Sequence, residues 1–168
     1  MARLRLETFI AAPPERVFDL SRDLDFHQRS LADTGEEIVG GRSGGLIELG
    51  EEVEWRARHL GFVWRLRSRI IEMERPQRFT DVQVHGPFSG FEHRHRFEPV
   101  EGGTRMVDEW DHRAPLGWLG KVADWLFLER HVVRILTTRN AALKSEAELV
   151  GSSSHAPVSP VLPPPEVG

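Results

Sequence analysis

"GFEHRHRFEP" occupies residues 90–99, and its histidines, arginines and phenylalanines alternate strictly. Side chains of an extended chain alternate between two faces. Phe91, His93, His95 and Phe97 therefore share one face of a strand, and Glu92, Arg94, Arg96 and Glu98 share the other. Two continuations are open. A His-x-His pair on a strand can offer two imidazoles to one metal ion. Alternatively, the strand belongs to an antiparallel sheet with one wet face and one lined face.

The flanking segments extend the pattern. "GPFSG" (residues 86–90) and "VEGG" (residues 100–103) read as hairpin connections between strands 79–85, 91–97 and 104–112. Centring the first hairpin on Phe88 pairs Asp81 with His95, Gln83 with His93 and Phe79 with Phe97. Centring the second between Glu101 and Gly102 pairs His95 with Asp108, Phe97 with Met106 and His93 with Trp110. One face then carries Phe79, Phe91, Phe97, Met106 and Trp110 together with Asp81, Gln83, His93, His95, Asp108 and His112. The opposite face carries Thr80, Val82, Arg94, Arg96, Arg105 and Glu109, with Arg94 opposite Glu109. Cross-strand opposite charges suit solvent, so the aromatic face is the inner one. Asp, Gln and His among aromatics do not make a dry core, because buried carboxylates are costly unless paired. This face reads as the wall of an amphipathic cavity.

Working outward, residues 3–10 alternate as a first strand, and "AAPPERVFDL" begins a helix with Pro13 and Pro14 at its start. A second short helix ends at Gly35. Residues 36–39 form a short strand, and "GGRSGG" is a turn. Val53, Trp55, Ala57 and His59 share a strand face. After Gly61, so do Trp64, Leu66, Ser68 and Ile70. Beyond Pro115 the period becomes helical, with Val122, Trp125, Leu126, Val132, Val133, Leu136 and Leu143 in one stripe. That predicts a long helix over about residues 119–149. The Ser- and Pro-rich residues 150–168 are expected to form a disordered tail. Residues 1–149 thus form one domain of α+β class, whose sheet needs the long helix as cover.

The chain has 168 residues, 39% hydrophobic and 29% charged, with a net charge of -4 and no cysteine. It is long enough for one sizeable core. The absence of cysteine excludes disulfides and thiolate chemistry. Arginines scattered through strands do not form a nucleic-acid footprint. No stretch approaches the ~18 apolar residues of a membrane helix. The reading is a cytoplasmic protein, monomer or homodimer, with no nucleic-acid partner and no membrane insertion.

The order strand, Pro-initiated helix pair, antiparallel sheet and long C-terminal helix resembles the START-like, or SRPBCC, superfamily. "IAAPPERVFDL" matches the lead-in to its first helix. "RPQRFTDVQVHGPFSGFEHRHRFEPVEGGTRMVDEWDHRAPLG" resembles its polyketide cyclase/dehydrase-like ligand-binding branch. The likeness spans about residues 3–148. It implies a helix-grip fold, a curved antiparallel sheet wrapped around the C-terminal helix, with a hydrophobic cavity between them. It also places His27 near the cavity mouth; the alternative for His27 is a surface helix residue.

The expected ligand is a hydrophobic or aromatic small molecule, lipid- or polyketide-like, carrying a polar group. Trp55, Trp64, Phe79, Met106 and Trp110 would supply apolar contact. Asp81, Gln83, His93, His95 and Asp108 would orient the polar end, with His27, His59 and Glu129 as further contacts. Glu129 falls inside the apolar helical stripe. Its alternative is the stripe edge, paired with Arg130 or Arg134. A cyclase- or dehydratase-type enzyme is the second reading, with His95, Asp108 and Asp81 as catalytic candidates. A ligand-free interaction module is the third. No cofactor is expected. No metal is expected either: Glu98 could serve as a third ligand to His93 and His95, but the spacing before His93 fits a metal motif poorly, and Asp81, Asp108, His59 or His112 completes a site only if the fold gathers them.

Overall fold

The computed structural model describes residues 2–59, 61–113 and 129–151. The expected first part of the long helix, including Val122, Trp125 and Leu126, and most of the Ser/Pro-rich tail lie outside the described residues. β1 (Ala2–Ile10) leads into α1 (Pro14–Ser21) and α2 (Leu24–Ser30). A single 3-10 turn (Ala32–Thr34) then precedes β2 (Glu37–Gly41). Five more strands follow: β3 (Glu52–His59), β4 (Phe62–Glu74), β5 (Arg78–His85), β6 (Gly90–Val100) and β7 (Gly103–Arg113). The last described element is α3 (Glu129–Gly151). The seven strands form one antiparallel sheet in the order β1-β7-β6-β5-β4-β3-β2. This is the α+β helix-grip architecture that the sequence predicts.

Local chemistry explains the elements that frame the cavity. Pro14 occupies the first position of α1, where its fixed φ and missing N–H cost nothing. The Asp23 side chain caps α2 by accepting from the N–H groups of Asp25 and Phe26 at 2.9 and 3.1 Å. Gly35 ends the 3-10 turn at φ +62°, a left-handed conformation that suits glycine. α1 buries Val17 and Phe18. The Phe18 ring meets Phe79 and Phe97 edge-on, with centroids 5.5 and 5.4 Å away. Such pairs add about 0.5–1.5 kcal/mol each beyond area burial.

α3 buries Val132, Leu136, Leu143 and Ala147 along one stripe. Polar ties fix its C-terminal half to the start of the chain. Lys144 Nζ donates to the carbonyl of Phe9 at 2.8 Å, and Glu148 accepts from the N–H of Ala11 at 2.8 Å. Arg16 donates to the carbonyls of Ala147 and Glu146 at 2.8 and 3.0 Å.

The β6–β7 register is the expected one: His95 faces Asp108, Phe97 faces Met106, His93 faces Trp110 and Arg94 faces Glu109. The β5–β6 register differs. Asp81 faces His93, and Phe79 faces His95, so the hairpin is centred on Pro87 rather than Phe88. The reason lies in the connection. Paired residues end at Val82 and Glu92. Beyond them the Gln83 amide turns to Phe88, donating to its carbonyl at 2.7 Å and accepting from its N–H at 3.3 Å. The displacement is two residues, so every side chain keeps its face. Phe79, Phe91, His93, His95, Phe97, Met106, Asp108 and His112 are all buried inside the sheet's concave side. The outer side is laced with ion pairs such as Arg96–Glu109 (2.9 Å) and Arg67–Glu54 (2.7 Å).

Candidate functional site

A cavity of about 210 Å³ lies between the inner sheet face, α2 and α3. Its walls are mostly apolar: Val53, Trp55, Ala57, Leu66, Ile70, Phe79, Phe88, Phe91, Trp110, Val132 and Leu136. Two polar clusters interrupt this lining.

The first cluster is built by β5, β6, β7 and α3. His93 and His95 point inward from alternate positions of β6, with ring centroids 3.8 Å apart. Asp108 on β7 lies behind them, fully buried. Its Oδ1 sits 2.7 Å from His95 Nδ1 and 3.2 Å from His93 Nε2. Neither contact meets the geometry of an aligned hydrogen bond. The other oxygen, Oδ2, accepts from Asn140 Nδ2 at 2.6 Å. Arg139 brings Nη1 to 3.8 Å from Oδ1 and donates through Nη2 to the carbonyl of Ser21 at 2.9 Å. Asp81 on β5 approaches from the cavity side, with Oδ1 3.8 Å from His93 Nδ1 and 3.6 Å from His95 Nε2. The His95 ring stacks on Phe79 at 4.2 Å.

Electrostatics separates these groups. Burial pushes His93 down to about 4, aided by His95 and only partly offset by Asp108 and Asp81. His93 is therefore neutral at pH 7 and offers the cavity a hydrogen-bonding imidazole. Burial pushes the Asp108 carboxyl up, but its contacts with both imidazoles outweigh this and hold it well below the usual carboxylate range.

The second cluster joins α2, the start of β2, β3 and α3. Glu36 is buried and accepts a contact from His27 Nε2 at 3.0 Å; its other oxygen is 3.8 Å from His59 Nε2. His59 Nδ1 lies 3.1 Å from His131 Nε2. The His27 ring packs on Trp55 with centroids 4.6 Å apart. Burial pushes both His59 and His131 below the usual histidine range.

Of the residues singled out in the sequence, His27, Trp55, His59, Trp64, Phe79, Asp81, His93, His95 and Trp110 lie on the cavity wall. Four expected contacts do not line it. Gln83 is taken up by the turn at Phe88. Met106 is fully buried in the core, its sulfur 3.8 Å from Ser21 Oγ. Asp108 is screened by the histidines that it supports. Glu129 opens the described part of α3, half-buried and away from the lining. Glu36, His131 and Arg139 are cavity residues that the sequence reading missed. A signal existed for each. Glu36 alternates with the inward Ile38, and His131, Ile135 and Arg139 recur every fourth residue beside the apolar stripe.

Comparison with known proteins agrees with this geometry. TTHA0849 from Thermus thermophilus is a similar structure, with a TM-score of 0.72 at 22% identity, covering 89% of this chain and 99% of that one. CV1439 from Chromobacterium violaceum gives a TM-score of 0.65 at 16% identity, with 88% and 99% covered. A major latex-like protein 151 from Panax ginseng gives 0.62 at 14%, with 87% and 97% covered. At these identities the likeness concerns the fold. Comparison with curated proteins gives no match. The family described as "polyketide cyclase / dehydrase and lipid transport" matches residues 1–148. With the helix-grip fold and that match over nearly all of the described chain, the protein belongs to this family of the START-like superfamily.

Proposed function

We propose that the protein binds a compact hydrophobic or aromatic small molecule bearing one polar group. The observation that carries this reading is the cavity itself: aromatic and aliphatic walls with polar clusters built into them. A site of this composition orients its ligand through a few polar groups and gains affinity from apolar burial. The volume of about 210 Å³ lies below the roughly 300–1,000 Å³ of pockets for drug-sized ligands, which favours a small occupant over an extended lipid chain. Family membership supports the same ligand class.

Native mass spectrometry of the purified protein tests the proposal directly. The expected result is a co-purified small apolar compound, lost from an Ala57→Phe variant that fills the cavity. A protein that carries no compound and takes up no aromatic probe overturns it.

A second reading is supported by the His95–Asp108 contact. A histidine held by a buried carboxylate is a general-base arrangement, as a cyclase or dehydratase needs. His93 is the poorer candidate, because a base whose pKa is about 4 is a weak proton acceptor at neutral pH. Turnover lost in His95→Gln with ligand affinity retained would favour the enzyme.

A further inference from the structure

Asp81, His93 and His95 each offer one ligand atom, and these atoms all lie within 4.8 Å of one another. Asp81 Oδ1 is 3.8 Å from His93 Nδ1 and 3.6 Å from His95 Nε2. Bonds of about 2.0–2.1 Å in a tetrahedral site separate adjacent ligand atoms by about 3.3 Å. The two separations from Asp81 exceed that value by a few tenths of an ångström, and the third ligand pair lies within 4.8 Å, so the rings must turn towards the ion. The opposite ring nitrogens, His93 Nε2 and His95 Nδ1, both face Asp108 Oδ1. A carboxylate behind a metal-binding histidine takes the ring proton and leaves the other nitrogen's lone pair for the ion. Here one carboxylate serves two histidines, and Asn140 holds its second oxygen.

Charge points the same way. Asp108 has Arg139 at 3.8 Å. Among the described residues, Asp81 makes no ion pair with an arginine or lysine; its contacts are the two histidines. Phe79, Phe91 and Trp110 surround the cluster with apolar surface. The β5–β6 register supplies a third ligand by placing Asp81 opposite His93.

We propose that Asp81, His93 and His95 form a mononuclear site for a divalent first-row transition metal, with zinc the reference ion and a remaining coordination position open to the cavity. Two imidazoles and a carboxylate suit this class of ion rather than magnesium or calcium. A bound ion would give an oxygen of a cavity occupant a Lewis-acidic anchor. The proposal does not depend on the small-molecule reading, because metal uptake is measured with no ligand added.

The test is titration of chelator-treated full-length protein with zinc and, separately, with cobalt(II). The expected result is one equivalent per chain, with the visible absorption of four-coordinate cobalt. Asp81→Asn, near-isosteric, and His95→Ala should each weaken uptake by roughly tenfold or more, whereas His85→Gln at an exposed strand end should not. In the wild-type protein, zinc should shift the imidazole resonances of His93 and His95 and leave His85 unchanged, a readout independent of variant folding. No uptake of either ion, uptake undiminished in Asp81→Asn, or uptake lost in His85→Gln overturns the site.

Discussion

His95 presents Nδ1 to Asp108 Oδ1 at 2.7 Å, and both side chains are almost completely buried. Asp108 is an interior charge, compensated by two imidazoles, one guanidinium and one amide. Truncating it leaves those groups facing a void. Asp108→Ala is expected to cost about 3–5 kcal/mol, the usual range for breaking a buried charge network. For a domain of this size that is on the order of 10 °C in melting temperature. Thermal denaturation measures it; a shift within experimental error would show that the network contributes little.

His95→Phe should cost less than Asp108→Ala. The carboxylate keeps His93, Arg139 and Asn140, and the new ring can stack on Phe79 where the imidazole does now. A loss of about 1–3 kcal/mol is expected from the orphaned oxygen contact. Chemical denaturation of both variants in one buffer compares them. A larger loss for His95→Phe would reverse this ranking.

Asp111 ties two strands on the outer side of the sheet, accepting from Arg3 at 2.9 Å and Arg94 at 2.8 Å. Partial burial pushes its carboxyl up, but these hydrogen bonds outweigh that and lower it. A depressed carboxylate stabilises the fold above its unfolded pKa, near 3.9, and that contribution disappears as pH falls through the folded value. Asp111→Asn should therefore lose stability at pH 7, at most about 1 kcal/mol because Arg3 is largely solvated. The difference from wild type should vanish in strong acid. A difference independent of pH would mean that the arginine pairs contribute nothing.

His59 and His131 are shifted in the same direction as Asp111, but by burial rather than by an ion pair. Burial lowers both; His59 and Arg134 lower His131 further, and Glu36 partly restores His59. The unfolded chain takes up these protons near pH 6.5 and the folded protein only at lower pH. Their contribution is complete above pH 6.5 and declines as the solution is acidified below it. Melting temperature should fall between pH 7 and 5.5, and by less in His131→Gln. An equal fall in both proteins would locate the pH dependence elsewhere.

Alternation was enough to assign faces. Phe91, His93, His95 and Phe97 are inside because polarity changes at every step of β6. The β6–β7 register was legible because Gly103 enters the ladder directly after a tight turn. The β5–β6 register was not, because the Gln83–Phe88 side-chain contact that shapes that connection leaves no periodic mark. Glu36 and His131 escaped for a different reason. Each gains its role only from partners on other elements, Glu36 from His27 on α2 and His131 from the distant His59. Strand parity is a local property, whereas which charged groups share one end of a cavity depends on how helices cross the sheet.

β1 pairs only with β7, joining Leu4 to Trp110 and Leu6 to Asp108 across nearly the whole domain, and α3 is fastened to the segment that follows β1. Strands β2 to β7 can zip up as successive hairpins, each closing a short loop. β1 and α3 must instead close a long one, at greater entropic cost. The cavity is consequently completed late: its sheet floor can form from local hairpins, but its α3 wall, the last described helix, must dock across the domain. Hydrogen-exchange pulse labelling during refolding should therefore find the amides of β1 and α3 protected later than those of β6.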